Sequence, residues 1–202
     1  MDREELNKII ENHMHWVTGD CDGWQKMRAN LSNMDLRDVD LKGVNLSGAN
    51  LSNSDLSGVN MSNAILRGVN LSHANLRCAN LTGANLSNAD LHDTNLSGAK
   101  LNRVNLCDAI LSYADLRGVD MSCAKSSGVD LSYTKLSYAN LSNADLSYAD
   151  LSYTKLSYAN LNGTDLSNAD LSYTSLNCVD LGNTKLSDTN LYDVNLSGTK
   201  LN

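Results

Sequence analysis

The chain has 202 residues and a formal net charge of -7, and it contains no phenylalanine and no proline. Only 5% of its residues are aromatic, so a conventional core of interlocking large rings is excluded. A hydrophobic share of 42%, with charges of both signs, also excludes a disordered chain. Because 33 residues are leucine, the core must be built from leucine and small residues.

Residues 1–28 differ from the remainder and are predicted to form a capping segment. Asp2 and Glu5 have the spacing of a helix N-cap and its return partner, and Gly19 is expected to end the helix that follows. An open solenoid end needs cover against water and edge pairing, so we expect the apolar face of this helix to cover the first coil. That face comprises Leu6, Ile9, Ile10, His13 and Val17, with Trp16 and, as a further candidate, Trp24.

The alternative for this segment is a metal site formed by His13 and His15, but residues two apart on a helix point to different sides. The cysteines of the whole chain are odd in number and irregular in spacing, which matches neither a disulfide framework nor a paired metal motif. We therefore predict no metal and no cofactor, with reduced thiols throughout. The five cysteines are Cys21, Cys78, Cys107, Cys123 and Cys178.

The N-terminus carries acids where a secretory signal would carry bases. No apolar run approaches the roughly 20 residues that a membrane helix needs. We therefore expect a cytoplasmic protein that does not associate with membranes. An acidic balance also argues against direct nucleic-acid binding through a basic surface.

Residues 29–202 follow a five-residue period without a frame shift. From position 31 to position 201, leucine occupies 32 of the 35 central positions, and Ala, Val or Thr stands two residues before nearly every centre. A period of five matches neither a helix nor a strand, so the chain must turn once in each repeat. Ser126 is the lone polar residue at a centre, where a lost leucine should cost about 2 to 4 kcal/mol.

A longer identity suggests how many repeats close one coil. Residues 130–141, DLSYTKLSYANL, recur unchanged at 150–161, an offset of 20 residues or four repeats. This offset predicts a four-sided coil whose backbone groups pair with the coils above and below. About nine such coils would form a rod roughly 40 Å long at a spacing of about 4.8 Å.

These repeats, written ANLSN, ANLTG and ADLSY here, resemble the A(D/N)LXX pattern of the pentapeptide-repeat superfamily over about 86% of the chain. The resemblance implies an all-β solenoid, a right-handed quadrilateral β-helix with leucine and alanine facing inward. With the capping helix, the predicted architecture is a β-helix of about nine coils behind a short α-helical cap.

Stacking residues 20 apart places tyrosines and aspartates in two columns on one side of the rod. Tyrosine is favoured at protein interfaces because it buries apolar area and keeps a hydroxyl for hydrogen bonding. This side is the candidate partner surface, although stacked rings that only shield the sheet are the competing interpretation. The candidate residues are Tyr113, Tyr133, Tyr153 and Tyr173 in one column and Asp130, Asp150 and Asp170 in the other.

No nucleotide loop, nucleophile elbow or zinc-protease motif is present, so we predict that the protein is not an enzyme. The first functional hypothesis is a rigid scaffold that presents this side to a protein partner. The second follows from the resemblance, since some relatives are acidic rods that mimic DNA and occupy the DNA site of gyrase-type topoisomerases. Averaged over the whole rod, the charge density is only about a fifth of that of duplex DNA, which weakens the second hypothesis.

The C-terminal coil ends in mid-pattern, without a helix or an aromatic plug. One hypothesis is that residues 183–202 pair with a second chain to form a homodimer, as expected of an unprotected strand edge. The alternative is that Lys185, Lys200 and polar strand ends keep this edge monomeric.

Overall fold

Residues 3–200 are described by a computed structural model in which a helix precedes a long stack of rectangular coils. Helix α1 spans Arg3–Thr18, and a single 3-10 turn covers Trp24–Lys26. From Asn30 onward the strands are single residues, each paired in parallel with the residue 20 places later. The predicted four-repeat coil is thus present. Within residues 3–200, no helix is both long enough and apolar enough to cross a bilayer.

Each coil is joined to the next by main-chain hydrogen bonds at the centre of every side. The amide of Leu51 donates to the carbonyl of Asn70 at 2.7 Å, and the amide of Asn70 donates to the carbonyl of Ala49 at 3.0 Å. This two-bond pattern repeats along the stack, so the buried backbone groups find partners without long strands.

The chain turns at the two residues that follow each leucine. The amide of Ala64 donates to the carbonyl of Met61 at 3.1 Å, and Asn63 between them has a φ of 57°. A positive φ at the third residue is the requirement of a type II turn. Every corner from residue 33 to residue 198 repeats this left-handed angle, on glycine or on another residue.

The Asn or Asp before each leucine stabilises the corner that follows. The side-chain oxygen of Asp130 accepts the amide hydrogen of Ser132 at 2.9 Å, and Asp150 accepts that of Ser152 at 2.9 Å. An Asx turn of this kind satisfies an amide that the turn leaves free. This contact explains why Asn or Asp recurs at this position, which composition alone did not explain.

The core is one continuous column of leucine side chains lined by Ala, Val and Thr. Leu51 and Ala49, for example, are both fully buried. Ser126 is also fully buried, and its hydroxyl has no hydrogen-bond partner.

Helix α1 packs across the first coil. Leu6 joins the buried core, and Ile9 and Ile10 pack against it. Trp16 lies over Gly48, where an added Cβ would approach the indole ring to 2.9 Å. Gly19, with a φ of 66°, follows the last helical residue, as expected. Asp2, the predicted N-cap, lies outside the described residues.

His13 closes the edge of the first coil. Its Nδ1 accepts the buried amide hydrogen of Ala29 at 3.0 Å, and its ring stacks on Trp16 with centroids 5.3 Å apart. Burial lowers the pKa of His13, with Arg28 acting in the same direction. His13 thus faces the core, whereas His15 is exposed on another side of the helix.

Candidate interaction face

The candidate tyrosines form a single column of parallel rings on the outside of the rod. Their successive centroids lie 4.9, 4.8 and 4.7 Å apart, and adjacent planes differ by 10° or less. Each ring remains about half exposed, between 44% and 52%. The column consists of Tyr113, Tyr133, Tyr153 and Tyr173.

Further rings extend this column in both directions. His92 contacts Tyr113 edge-on at 5.4 Å and His73 at 5.7 Å, while Tyr192 contacts Tyr173 at 5.4 Å. The result is a continuous run of seven rings. His92 and Tyr192 stand one residue before the corner position. They therefore belong to a different set of residues 20 apart, and the sequence alone did not place them in this run.

Each tyrosine of the column occupies a left-handed backbone position. The φ of Tyr133 is 59° and that of Tyr153 is 57°. A non-glycine residue in this region costs about 1 to 2 kcal/mol, whereas a stacked aromatic pair contributes about 0.5 to 1.5 kcal/mol. The two effects are of similar size, so the rings add little net stability to a corner position that Asn, Asp or Gly fills in most other repeats.

The aspartates form the neighbouring column. Asp130, Asp150 and Asp170 follow one another as bridge partners in three successive coils. Desolvation raises the pKa of Tyr133, and the charge of Asp150 contributes in the same direction. The phenol and carboxylate columns therefore lie on the same side of the rod, close enough to interact.

We call this side the acidic face. It comprises the bridge column from Asn30 to Asn190, the column from Ser32 to Tyr192 and the corner column from Asn33 to Asp193, each in steps of 20. Within these described residues there is no Lys and no Arg. The acids are Asp90, Asp93, Asp130, Asp150, Asp170 and Asp193.

The other three faces are close to neutral. From residue 29 onward they carry 11 Asp against 12 Lys or Arg, so the net negative charge of the repeats comes from the acidic face. Its six acids extend over about 24 Å at a coil spacing of about 4.8 Å. That is roughly one charge per 4 Å, compared with one per 3.4 Å along one strand of duplex DNA. The charge density averaged over the whole rod did not reveal that the negative charge is concentrated on one face.

The opposite end of the rod from α1 leaves core residues open. Leu191 is 42% exposed and Leu196 is 43% exposed, whereas the leucines of the central coils are fully buried.

Threonine hydroxyls link successive coils in the C-terminal part of the rod. Thr164 donates to the carbonyl of Leu141 at 2.8 Å and Thr174 to that of Leu151 at 2.8 Å, each bond joining two coils.

Side chains that could ligate a metal converge, among the described residues, at the end of α1 rather than on the acidic face. His15, Asp20 and Cys21 have ligand atoms within 4.8 Å of one another. His13 is not part of this group. All five cysteines are free.

Comparison with known proteins agrees with this architecture. The family described as pentapeptide repeats matches residues 27–63, 54–93, 64–103, 89–125, 127–163 and 164–202. No curated protein matches the chain.

Two solved structures illustrate the likeness. HetL, a pentapeptide repeat protein involved in heterocyst differentiation regulation from the cyanobacterium Nostoc sp. strain PCC 7120, is 28% identical with a TM-score of 0.51. The match covers 98% of this chain and 96% of HetL. A trypsin-treated variant of QnrB1, a plasmid-mediated fluoroquinolone resistance protein, is 22% identical with a TM-score of 0.68. That match covers 86% of this chain and 90% of the QnrB1 chain. The right-handed quadrilateral β-helix with a short N-terminal helix is thereby confirmed.

Proposed function

The chain belongs to the pentapeptide-repeat family, and we propose that it is a non-catalytic scaffold whose acidic face binds a protein partner with a basic surface. The observation that carries this proposal is the segregation of charge. Six aspartates and a run of seven aromatic rings share one face that has no Lys or Arg, while the remaining faces are nearly neutral.

The two columns of this face complement arginine in particular. A guanidinium group pairs with a carboxylate through two parallel hydrogen bonds and stacks on an aromatic ring. In each coil the tyrosine stands three residues after the aspartate, on the same side of the rod, so one guanidinium can reach a carboxylate and a ring together. Stacking on Tyr adds about 0.5 to 2 kcal/mol per contact, depending on its desolvation.

Capture with matched charge variants tests this function. The first variant replaces Asp130, Asp150 and Asp170 with Asn, which keeps the side-chain oxygen that each corner amide requires. The control replaces three bridge-position aspartates on other faces, which accept the same type of amide bond. These control positions are Asp120, Asp145 and Asp180.

Each immobilised protein is exposed to a lysate of the source organism, and the bound proteins are quantified by mass spectrometry. We expect a partner that the wild type and the control retain and the acidic-face variant loses by at least tenfold. Equal retention by both variants would exclude the acidic face as the binding surface.

The second candidate function is DNA mimicry, in which the acidic face occupies the duplex site of a gyrase-type topoisomerase or another DNA-binding protein. The charge spacing of roughly 4 Å favours it, because this approaches the spacing along one DNA strand. A supercoiling assay separates the candidates. If the wild type inhibits supercoiling and the acidic-face variant does not, the result supports mimicry. If the wild type does not inhibit supercoiling even at high micromolar concentration, the result opposes mimicry.

We also propose that the open end around Leu191 and Leu196 pairs with a second copy of the chain. Leu191 and Leu196, which are 42% and 43% exposed, form an apolar edge that favours association. Light scattering at high concentration should then give twice the monomer mass, and Leu191→Lys should reduce it to about 22 kDa. A wild-type mass of 22 kDa at every concentration would contradict this pairing.

A further inference from the structure

The segment between α1 and the first coil brings three chemically different ligands together. Gly19 and Gly23, with φ of 66° and 80°, reverse the chain here and return it toward the end of the helix. The imidazole of His15, the carboxylate of Asp20 and the thiol of Cys21 consequently have ligand atoms within 4.8 Å of one another.

The arrangement is partly organised before any ion binds. His15 Nδ1 lies 2.7 Å from Asp20 Oδ1, and this contact is the main cause that lowers the pKa of the Asp20 carboxyl. The Cys21 thiol is half-buried and points at the Met27 thioether, with the two sulfurs 3.9 Å apart. The Cys21 side chain is therefore held in place beside the His15 and Asp20 pair.

We propose that His15, Asp20 and Cys21 bind one Zn²⁺ ion, with water as the fourth ligand. Imidazole, carboxylate and thiolate are the three side-chain ligands that Zn²⁺ takes in proteins, at about 2.0 to 2.3 Å. In a tetrahedral site these ligand atoms would stand about 3.3 to 3.6 Å apart. Because His15 and Asp20 are exposed, their side chains can rotate by the small amount required.

The ion would join the last turn of α1 to the segment that enters the first coil. His13, two residues before His15, accepts the Ala29 amide at the edge of that coil, so fixing the end of the helix also fixes this cap. Binding deprotonates the thiol and releases its proton, so the affinity should fall as the pH is lowered. This site is independent of the acidic face and of the function proposed for it.

Cobalt substitution tests the site in the full chain. Co²⁺ added to the reduced protein should give a thiolate-to-cobalt charge-transfer band and the visible bands of a tetrahedral ion, at one ion per chain. Cys21→Ser should abolish the charge-transfer band. Cys123→Ser is the matched control, because Cys123 is an exposed free cysteine at a corner of the β-helix.

Calorimetric titration with Zn²⁺ gives a second measurement. We expect one site in the wild type and in Cys123→Ser, and at least tenfold weaker binding in Cys21→Ser and His15→Gln. Circular dichroism spectra and melting curves recorded with a chelator verify that each variant folds. No cobalt charge-transfer band in the wild type, or equal loss of binding in Cys123→Ser and Cys21→Ser, would overturn the proposal.

Discussion

The ring of Tyr133 lies parallel to that of Tyr153, with centroids 4.8 Å apart and planes that differ by 2°. Both residues adopt left-handed backbone angles that Asn and Gly accept more easily. The stack therefore occupies corners where the fold does not require an aromatic residue. The contribution of the rings to binding can therefore be tested separately from their contribution to stability.

Replacing Tyr133 and Tyr153 with Asn should leave the free energy of unfolding within about 1 kcal/mol of the wild type, because lost stacking and relieved backbone strain offset each other. Partner capture should fall strongly. Denaturant unfolding and the capture measurement described above provide the two values.

The matched control for this pair is Tyr138→Asn with Tyr158→Asn. These rings also stack, 5.1 Å apart, at left-handed corners, but they lie at the next corner, away from the aspartate column. They should change stability equally and leave capture intact. A large loss of stability with unchanged capture in the Tyr133 and Tyr153 variant would instead show that the rings only shield the sheet.

Removing charge from the aspartate column should not weaken the fold. Asp130, Asp150 and Asp170 are stacked like charges, and Asn keeps the acceptor for the amide two residues later. The variant with Asn at all three positions should melt at the same temperature as the wild type or higher, most clearly at low ionic strength. A marked drop in melting temperature would mean that the carboxylates have a structural role.

Ser126→Leu should stabilise the protein by up to about 2 to 4 kcal/mol. Ser126 is fully buried within the leucine column and its hydroxyl is unpaired, so leucine restores apolar contacts and removes an unsatisfied polar group. Denaturant unfolding measures the change. The control is Leu146→Ser, the reverse change one coil later, which should destabilise the protein. A loss of stability in Ser126→Leu would contradict the prediction and show that the coil packs too tightly around Ser126 to accept leucine.

His13→Leu should remove the hydrogen-bond acceptor of one buried amide at the junction between α1 and the first coil. The ring nitrogen of His13 is the acceptor for the buried amide of Ala29, and leaving such a group unpaired costs about 1 to 3 kcal/mol. Hydrogen exchange should therefore accelerate at Ala29. His13→Asn places an oxygen near the position of Nδ1 and should retain much of the protection, whereas equal protection in His13→Leu would show that the contact is unimportant.

The period of five made the coil, the inward leucines and the tyrosine column predictable, because each depends only on spacing along the chain. The role of His13 as a backbone acceptor was not predictable, since it depends on how α1 crosses the first coil. Grouping His15 with Asp20 and Cys21 required the turn at Gly19 and Gly23, which the sequence pattern does not describe.

The aspartate column of the acidic face was predicted from the sequence, but the absence of Lys and Arg from that face was not. Assigning every Asp, Lys and Arg to one of four columns would have revealed it, whereas an average over the rod did not. The contacts of His92 and Tyr192 with the tyrosine column are diagonal, so they required coordinates.

Site-specific photo-cross-linking tests the central claim most directly. A photoreactive amino acid is placed at Ser152, between Asp150 and Tyr153, and in a second protein at Ser142, which holds the same repeat position half a coil away on the opposite face. Both proteins are irradiated in cells of the source organism. The proposal predicts that a partner is cross-linked to the protein labelled at Ser152 and none to the protein labelled at Ser142. Cross-linking of the same partner from both positions, or from Ser142 alone, would contradict it.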